Sequence, residues 1–140
     1  KHFLGATGKQ LLIEQPFRCD YGYNIRVGEN FYANMGCTIL DEALVTFGDN
    51  VLLAPNVSIY TAGHAVNVAQ RVAGWEYAYP VTVGHNVWIG GNVVILPGVS
   101  IGDNSIIGGG SVVTKDIPAN VIAVGNPCKV IRELTEDELK

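Results

Sequence analysis

Three histidines and three cysteines have the widest chemical range in this chain: His2, His64 and His85, and Cys19, Cys37 and Cys128. An imidazole titrates close to neutral pH, so a positioned histidine can take a proton from a substrate. A thiolate can attack a carbonyl, and imidazoles with thiolates can hold zinc. The zinc reading fails first. His2 is terminal, only His64 and His85 lie in the body, no H-x4-H pair exists, and no two cysteines are close in sequence. Cys37, in "ANMGCTIL", reads as a small packing residue rather than a nucleophile. An odd number of scattered cysteines makes no disulfide framework and points to a reducing cytoplasm. His85 occupies a turn in "VGHN" and reads as solvated. His64 remains, directly after Gly63 in "LAPNVSIYTAGH". From position alone, a general base and a solvated loop histidine are equally good readings.

What must position His64 is a repeat that stops beside it. Every sixth residue in the series Val83, Ile89, Ile95, Ile101, Ile107, Val113 is aliphatic, and the series runs backwards as Phe47, Leu53, Ile59. A shift of two residues recovers Val27, Ala33 and Ile39, so eleven of twelve positions are Val, Ile, Leu or Phe. A second inward position, four residues after the first, carries Val51, Val57, Val87, Val93, Val99, Ser105 and Ser111. Glycine follows the repeat residue six times, and asparagine comes two places later in "VGEN", "FGDN", "VGHN" and "IGDN". Both residue types tolerate the left-handed backbone that a sharp corner often needs. Short strands joined by such corners describe a parallel β-solenoid with three hexapeptides per coil, about 4.8 Å apart along the axis. The strict repeat predicts about four coils on that spacing. A β-sandwich would alternate with period two and turn at longer intervals.

From Ile59 to Val83 the step is 24 residues instead of six. The surplus must leave the prism and return as a surface loop, where binding groups concentrate. The expected organisation is a lead-in over 1–16, a solenoid over 17–124 with an inserted loop over 60–82, and a tail over 125–140. Thr135 three residues before Glu138 is a capping-box spacing and predicts a short C-terminal helix.

The 140 residues suit one domain, at 48% hydrophobic and 16% charged with a net charge of −4. No basic stripe offers itself to nucleic acid, and no apolar run approaches the roughly 18 residues of a membrane span. No signal peptide is visible after Lys1.

The segments "PFRCDYGYNI", "NFYAN", "TILD", "LAPNVSIYTAGH", "PVTVGHNVWIGGNVVILPGVSIGDNSIIGGGSVVTKDIPAN" and "VGNPCKVIREL" resemble the hexapeptide-repeat sugar O-acetyltransferases. Maltose acetyltransferase is the nearest type, with the galactoside and nodulation acetyltransferases as relatives. The resemblance covers residues 11–134, and it is the combination of "FRCDYG", "TAGH" and "NVWIGG" that carries it. It implies an all-β, left-handed parallel β-helix, a homotrimer with active sites between subunits, and acetyl transfer from acetyl-CoA to a sugar hydroxyl with no metal. The helical segment that precedes the coils in the family has no counterpart here, which leaves the acceptor open.

By the same resemblance His64 is the general base that a sugar hydroxyl needs to attack a thioester. Asp20, Tyr32, Asn34, Asp41, Glu42 and Glu76 fall at or beside acceptor-binding positions. Trp88, Gly91, Gly109, Thr114, Lys115 and Arg132 fall at coenzyme-binding positions, the two cations suiting phosphate. Oxyanion donors would be backbone N–H groups near "WIGG". A xenobiotic acetyltransferase acting on a drug hydroxyl is the alternative within the class. A zinc carbonic anhydrase on the same solenoid lacks its third imidazole, and a structural or ice-binding solenoid is at odds with the long insertion.

Overall fold

The computed structural model describes residues 3–140; Lys1 and His2, and with them the reading of His2, lie outside the described residues. The chain is a parallel β-helix of about six coils, three-sided, with a sheet on each face. The seven-stranded face runs Leu11–Ile13, Phe31–Ala33, Leu52–Leu53, Trp88–Ile89, Ile106–Ile107, Val121–Gly125 and Cys128–Glu133, all parallel until the last strand, which turns back antiparallel. A five-stranded face and a four-stranded face close the prism.

The six-residue step explains the three faces. Phe47, Leu53 and Ile59 point inward from the four-, seven- and five-stranded faces in turn, and Val83, Ile89 and Ile95 do so one coil on, followed by Ile101, Ile107 and Val113. All twelve repeat residues are buried, as are the seven at the second inward position. Like residues therefore stack over like along the axis. Each fully buried aliphatic contributes about 1.5–3 kcal/mol.

The coil count exceeds the four expected because the ends build rungs without the strict repeat. Leu11–Ile13 pairs with Phe31–Ala33, and Ala6 bridges Arg26, so part of the expected lead-in is already solenoid. At the other end Ile117 bridges Ile101 and Val121–Gly125 adds a rung. Residues 135–139 do not form the expected helix. Thr135 and Glu138 do form a capping box (Thr135 N–H to Glu138 Oε1 at 2.8 Å, Glu138 N–H to Thr135 Oγ1 at 3.2 Å), but it closes a single turn. The one α-helix among the described residues, Val68–Val72, lies in the inserted loop, with Asn67 as its N-cap.

The corners use both residue types. Glycine supplies the left-handed turn at some corners, Gly36, Gly98 and Gly110 with φ of 82°, 81° and 74°, and asparagine at others: Asn30, Asn50, Asn86 and Asn104 have φ of 56° to 66°. Their side chains form a ladder from coil to coil, at 3.1, 3.0 and 2.9 Å, continued to Asn120 at 2.7 Å. The glycines before them are not left-handed. They are small because a Cβ there would strike the next coil, as at Gly90, where it would meet the backbone of Gly109. The residue between glycine and asparagine caps the coil below. Asp49 accepts the N–H of Glu29 at 2.8 Å, His85 Nδ1 that of Asp49 at 2.8 Å, and Asp103 that of His85 at 2.7 Å. His85 is thus a link between coils rather than a merely solvated residue.

Candidate active site

The departures from the repeat fall on one edge. Cys19 to Val27 and Ile39 to Phe47 are eight residues each, and Ile59 to Val83 is 24, where the regular step is six. Each surplus sits at the corner between the five- and four-stranded faces, in three successive coils. The surplus residues are Asp20–Asn24, the Asp41–Glu42 corner and the inserted arm.

The arm is a β-hairpin, Ala62–His64 paired antiparallel with Glu76–Ala78, carrying the helix Val68–Val72 beyond its ends. Gly63 lies under the Tyr77 ring, which leaves no space for a Cβ. Thr61 ties the arm's root to the neighbouring coil: its buried hydroxyl donates to Leu40 O at 2.7 Å and accepts the Ala43 N–H at 2.9 Å. Nothing in the repeat marks Thr61 beforehand. His64 stands in register with Glu76, and its Nδ1 lies 3.9 Å from Glu76 Oε1. Glu76, expected among the acceptor ligands, is therefore also the imidazole's nearest carboxylate. Both open onto a depression of about 210 Å³ lined also by Leu40, Glu42, Ala62 and Gly63.

Glu42 reaches this depression from the coil below. Its carboxyl is held above the ordinary value, first by a hydrogen bond with the Asp20 carboxyl, then by burial. Asp41, beside it, cannot be a ligand as expected. It is fully buried, and its carboxylate accepts four backbone N–H groups, from Asp20 at 3.2 Å, Tyr21 at 2.9 Å, Gly22 at 2.7 Å and Asn24 at 3.2 Å. Its role is to shape the loop that presents Asp20. Period and residue type alone could not separate this buried carboxylate from its exposed neighbour.

The other expected site residues lie elsewhere on the prism. Tyr32 and Trp88 project from the seven-stranded face, in one row with Leu12, Leu52, Ile106 and Ile122. Trp88 is half exposed and borders a depression of about 620 Å³, closed at one end by Leu134 and Leu139. Asn34 and Gly91 sit at the corner leading to the five-stranded face, with Gly109 above Gly91; Asn34 Oδ1 accepts the Met35 N–H at 2.8 Å. Thr114 and Lys115 are exposed on the same edge as the arm, two coils on. Arg132 lies opposite Ile122 in the final strand and makes a bidentate pair with Glu138 at 2.8 and 2.9 Å. Within one chain, the His64 group and the Trp88 group thus occupy different sides.

Cys37 is fully buried, and burial pushes its thiol up to about 12, so it is not ionised at neutral pH. Among the described residues no group of three or more His, Cys, Asp or Glu is placed to hold a metal, and no helix is long and apolar enough to cross a membrane.

Comparison with known proteins gives a consistent picture. Residues 80–115 match the bacterial transferase hexapeptide (six repeats) family. The galactoside O-acetyltransferase of Escherichia coli is 54% identical over 136 residues, covering 97% of this chain and 67% of that protein. A solved galactoside acetyltransferase in complex with coenzyme A superposes with a TM-score of 0.96 at 52% identity, over 99% of this chain and 69% of that one. A maltose O-acetyltransferase from Clostridium difficile 630 gives a TM-score of 0.95 at 59% identity, over 96% of this chain and 72% of that one.

Proposed function

Because the chain belongs to the hexapeptide-repeat acetyltransferases of the galactoside and maltose O-acetyltransferase type, we propose that this acetyl-CoA-dependent O-acetyltransferase acts on a sugar hydroxyl with His64 as its general base. The observation that carries the reading is the His64–Glu76 pair, in register on the arm and facing a depression walled by Glu42.

A sugar hydroxyl is a poor nucleophile until its proton is drawn away as it attacks. The imidazole of His64 takes that proton, and Glu76 beside Nδ1 steadies the ring and the charge it acquires. Asp20 and Glu42 are acceptors for neighbouring hydroxyls of the sugar. Bound acetyl-CoA supplies an activated acetyl thioester. The chain offers it the depression beside Trp88, and Lys115 and Arg132 as cations for phosphate. Arg132 is shared with Glu138, so phosphate would compete with that carboxylate. Gly91, Gly109 and Thr114 offer backbone and a hydroxyl along the coils, and Tyr32 and Asn34 complete the acceptor side.

These two sets of groups meet in a homotrimer whose active sites lie between neighbours. The arm supports this: Val66, Val72 and Trp75 on it are 91%, 81% and 59% exposed, and the Leu52–Trp88 row is a matching apolar face. The test is a panel of sugars and hydroxylated drugs with acetyl-CoA, detecting released thiol. Turnover with glucose, maltose or a galactoside is expected. Turnover with drug hydroxyls alone would overturn the sugar reading.

A further inference from the structure

We propose that Tyr21 and Tyr23 form a second sugar subsite, a stacking platform for the pyranose ring next to the one that is acetylated; the inference rests on the sugar-transferase reading above. The two rings lie 5.1 Å apart at 30° and are 51% and 61% exposed. Contiguous exposed apolar side chains mark places where a ligand or partner can bind.

The loop beneath them is built, not slack. Asp41 gives its whole hydrogen-bonding capacity to the N–H groups of Asp20, Tyr21, Gly22 and Asn24, and its carbonyl accepts from Asn24 Nδ2 at 2.9 Å. Burying a carboxylate is costly unless it is fully satisfied, and what this one stabilises is the position of a five-residue loop. A platform fixed beforehand loses little freedom on binding.

Location gives the ligand class. Tyr21 follows Asp20, the N–H groups of both are held by the Asp41 carboxylate, and Asp41 is followed by Glu42, which walls the His64 depression. Base, carboxylates and aromatic pair therefore succeed one another along one edge. A pyranose has hydroxyls around its rim and C–H groups on its faces. Carboxylates accept from the first, and the electron-rich face of an aromatic ring suits the second. The depression, at about 210 Å³, is smaller than the roughly 300–1,000 Å³ that encloses a drug-sized ligand. A ring held beside His64 leaves the second ring of a disaccharide to extend along the edge, towards the tyrosines.

The experiment compares kcat/KM for glucose with maltose, and for methyl galactoside with lactose, at saturating acetyl-CoA. It uses the wild type, Tyr21→Ala/Tyr23→Ala and Tyr21→Phe/Tyr23→Phe, with oligomeric state measured for each. In the wild type the disaccharide should be favoured by about five- to tenfold, the worth of one good aromatic contact. The double alanine variant should erase that preference through KM for the disaccharide, leaving the single-ring sugar within about twofold, and the double phenylalanine variant should keep it. Equal efficiencies in the wild type would overturn the subsite. So would an equal fall for both sugars, with a smaller oligomer assigning the pair to an interface instead. No transfer to any sugar by the wild type would overturn the sugar-transferase reading, and this inference with it.

Discussion

His64 and Glu76 face each other across two strands that project from the prism, so His64→Ala removes chemistry without removing core. It should lower kcat by about 10²–10⁴-fold, the usual worth of a positioned base, with an unchanged melting temperature. Retention of more than about a third of the activity would remove the role from this residue. Glu76→Gln should cost less and act on kcat rather than on KM for the sugar, because the carboxylate works through the imidazole. His85 makes a contrasting case. Its Nδ1 does what an aspartate oxygen does in the coils on either side. His85→Asp should therefore keep both activity and melting temperature, whereas His85→Ala should cost about 0.5–1.5 kcal/mol of stability. Loss of turnover in His85→Asp at full stability would mean that the ring does more than cap.

At the scale of the element, the coil corner and the coil core should respond very differently. Ile101→Asn places an amide among stacked aliphatics and should unfold the domain, costing about 1–3 kcal/mol for the unpaired polar group beyond the lost packing. Asp103→Ser, two residues on, loses one exposed hydrogen bond to the His85 N–H and should be mild. Equal melting temperatures would contradict the inward phase. The C-terminal turn has its own signature. Its hydrogen bonds with Arg132, and then with the Thr135 N–H, pull the Glu138 carboxyl down to about 2. A depressed carboxylate favours the folded turn above the ordinary carboxyl pKa and loses that contribution as pH falls. The turn should thus loosen between about pH 4.5 and pH 2, and Arg132→Ala should return Glu138 towards its ordinary value in a carboxyl-resolved NMR titration. A wild-type Glu138 titrating at the ordinary value would contradict the pair.

Much of this scale was legible in the residues. Twelve apolar residues on a six-residue step marked the interior, and the breaks in that step marked the edge that holds His64. What stayed hidden was carried by backbone pairing or by burial at corners. The rungs at residues 6 and 11–13 follow no strict repeat, and Asp41 differs from Glu42 only in where its side chain ends. Thr135 and Glu138 formed a true cap, but the turn it closes does not continue as a helix.

The whole molecule poses the question of completeness. One chain places the base and its carboxylates on one edge, and Trp88 with Tyr32 on the opposite face. A filled three-sided prism offers shallow hollows only, and ligand sites favour deep clefts. A closed ring of three copies would set the arm of one against the apolar face of the next and make three equal grooves. The direct measurement is complementation. His64→Ala and an inactive Trp88 variant are unfolded together in equal amounts, refolded, and assayed for acetyl transfer. If the two residues serve one groove from different chains, random assembly gives about a quarter of the grooves both intact halves. Activity near one quarter of wild type is the result expected. No recovery in trimers verified to be mixed, or a monomer at working concentration, would contradict the shared site.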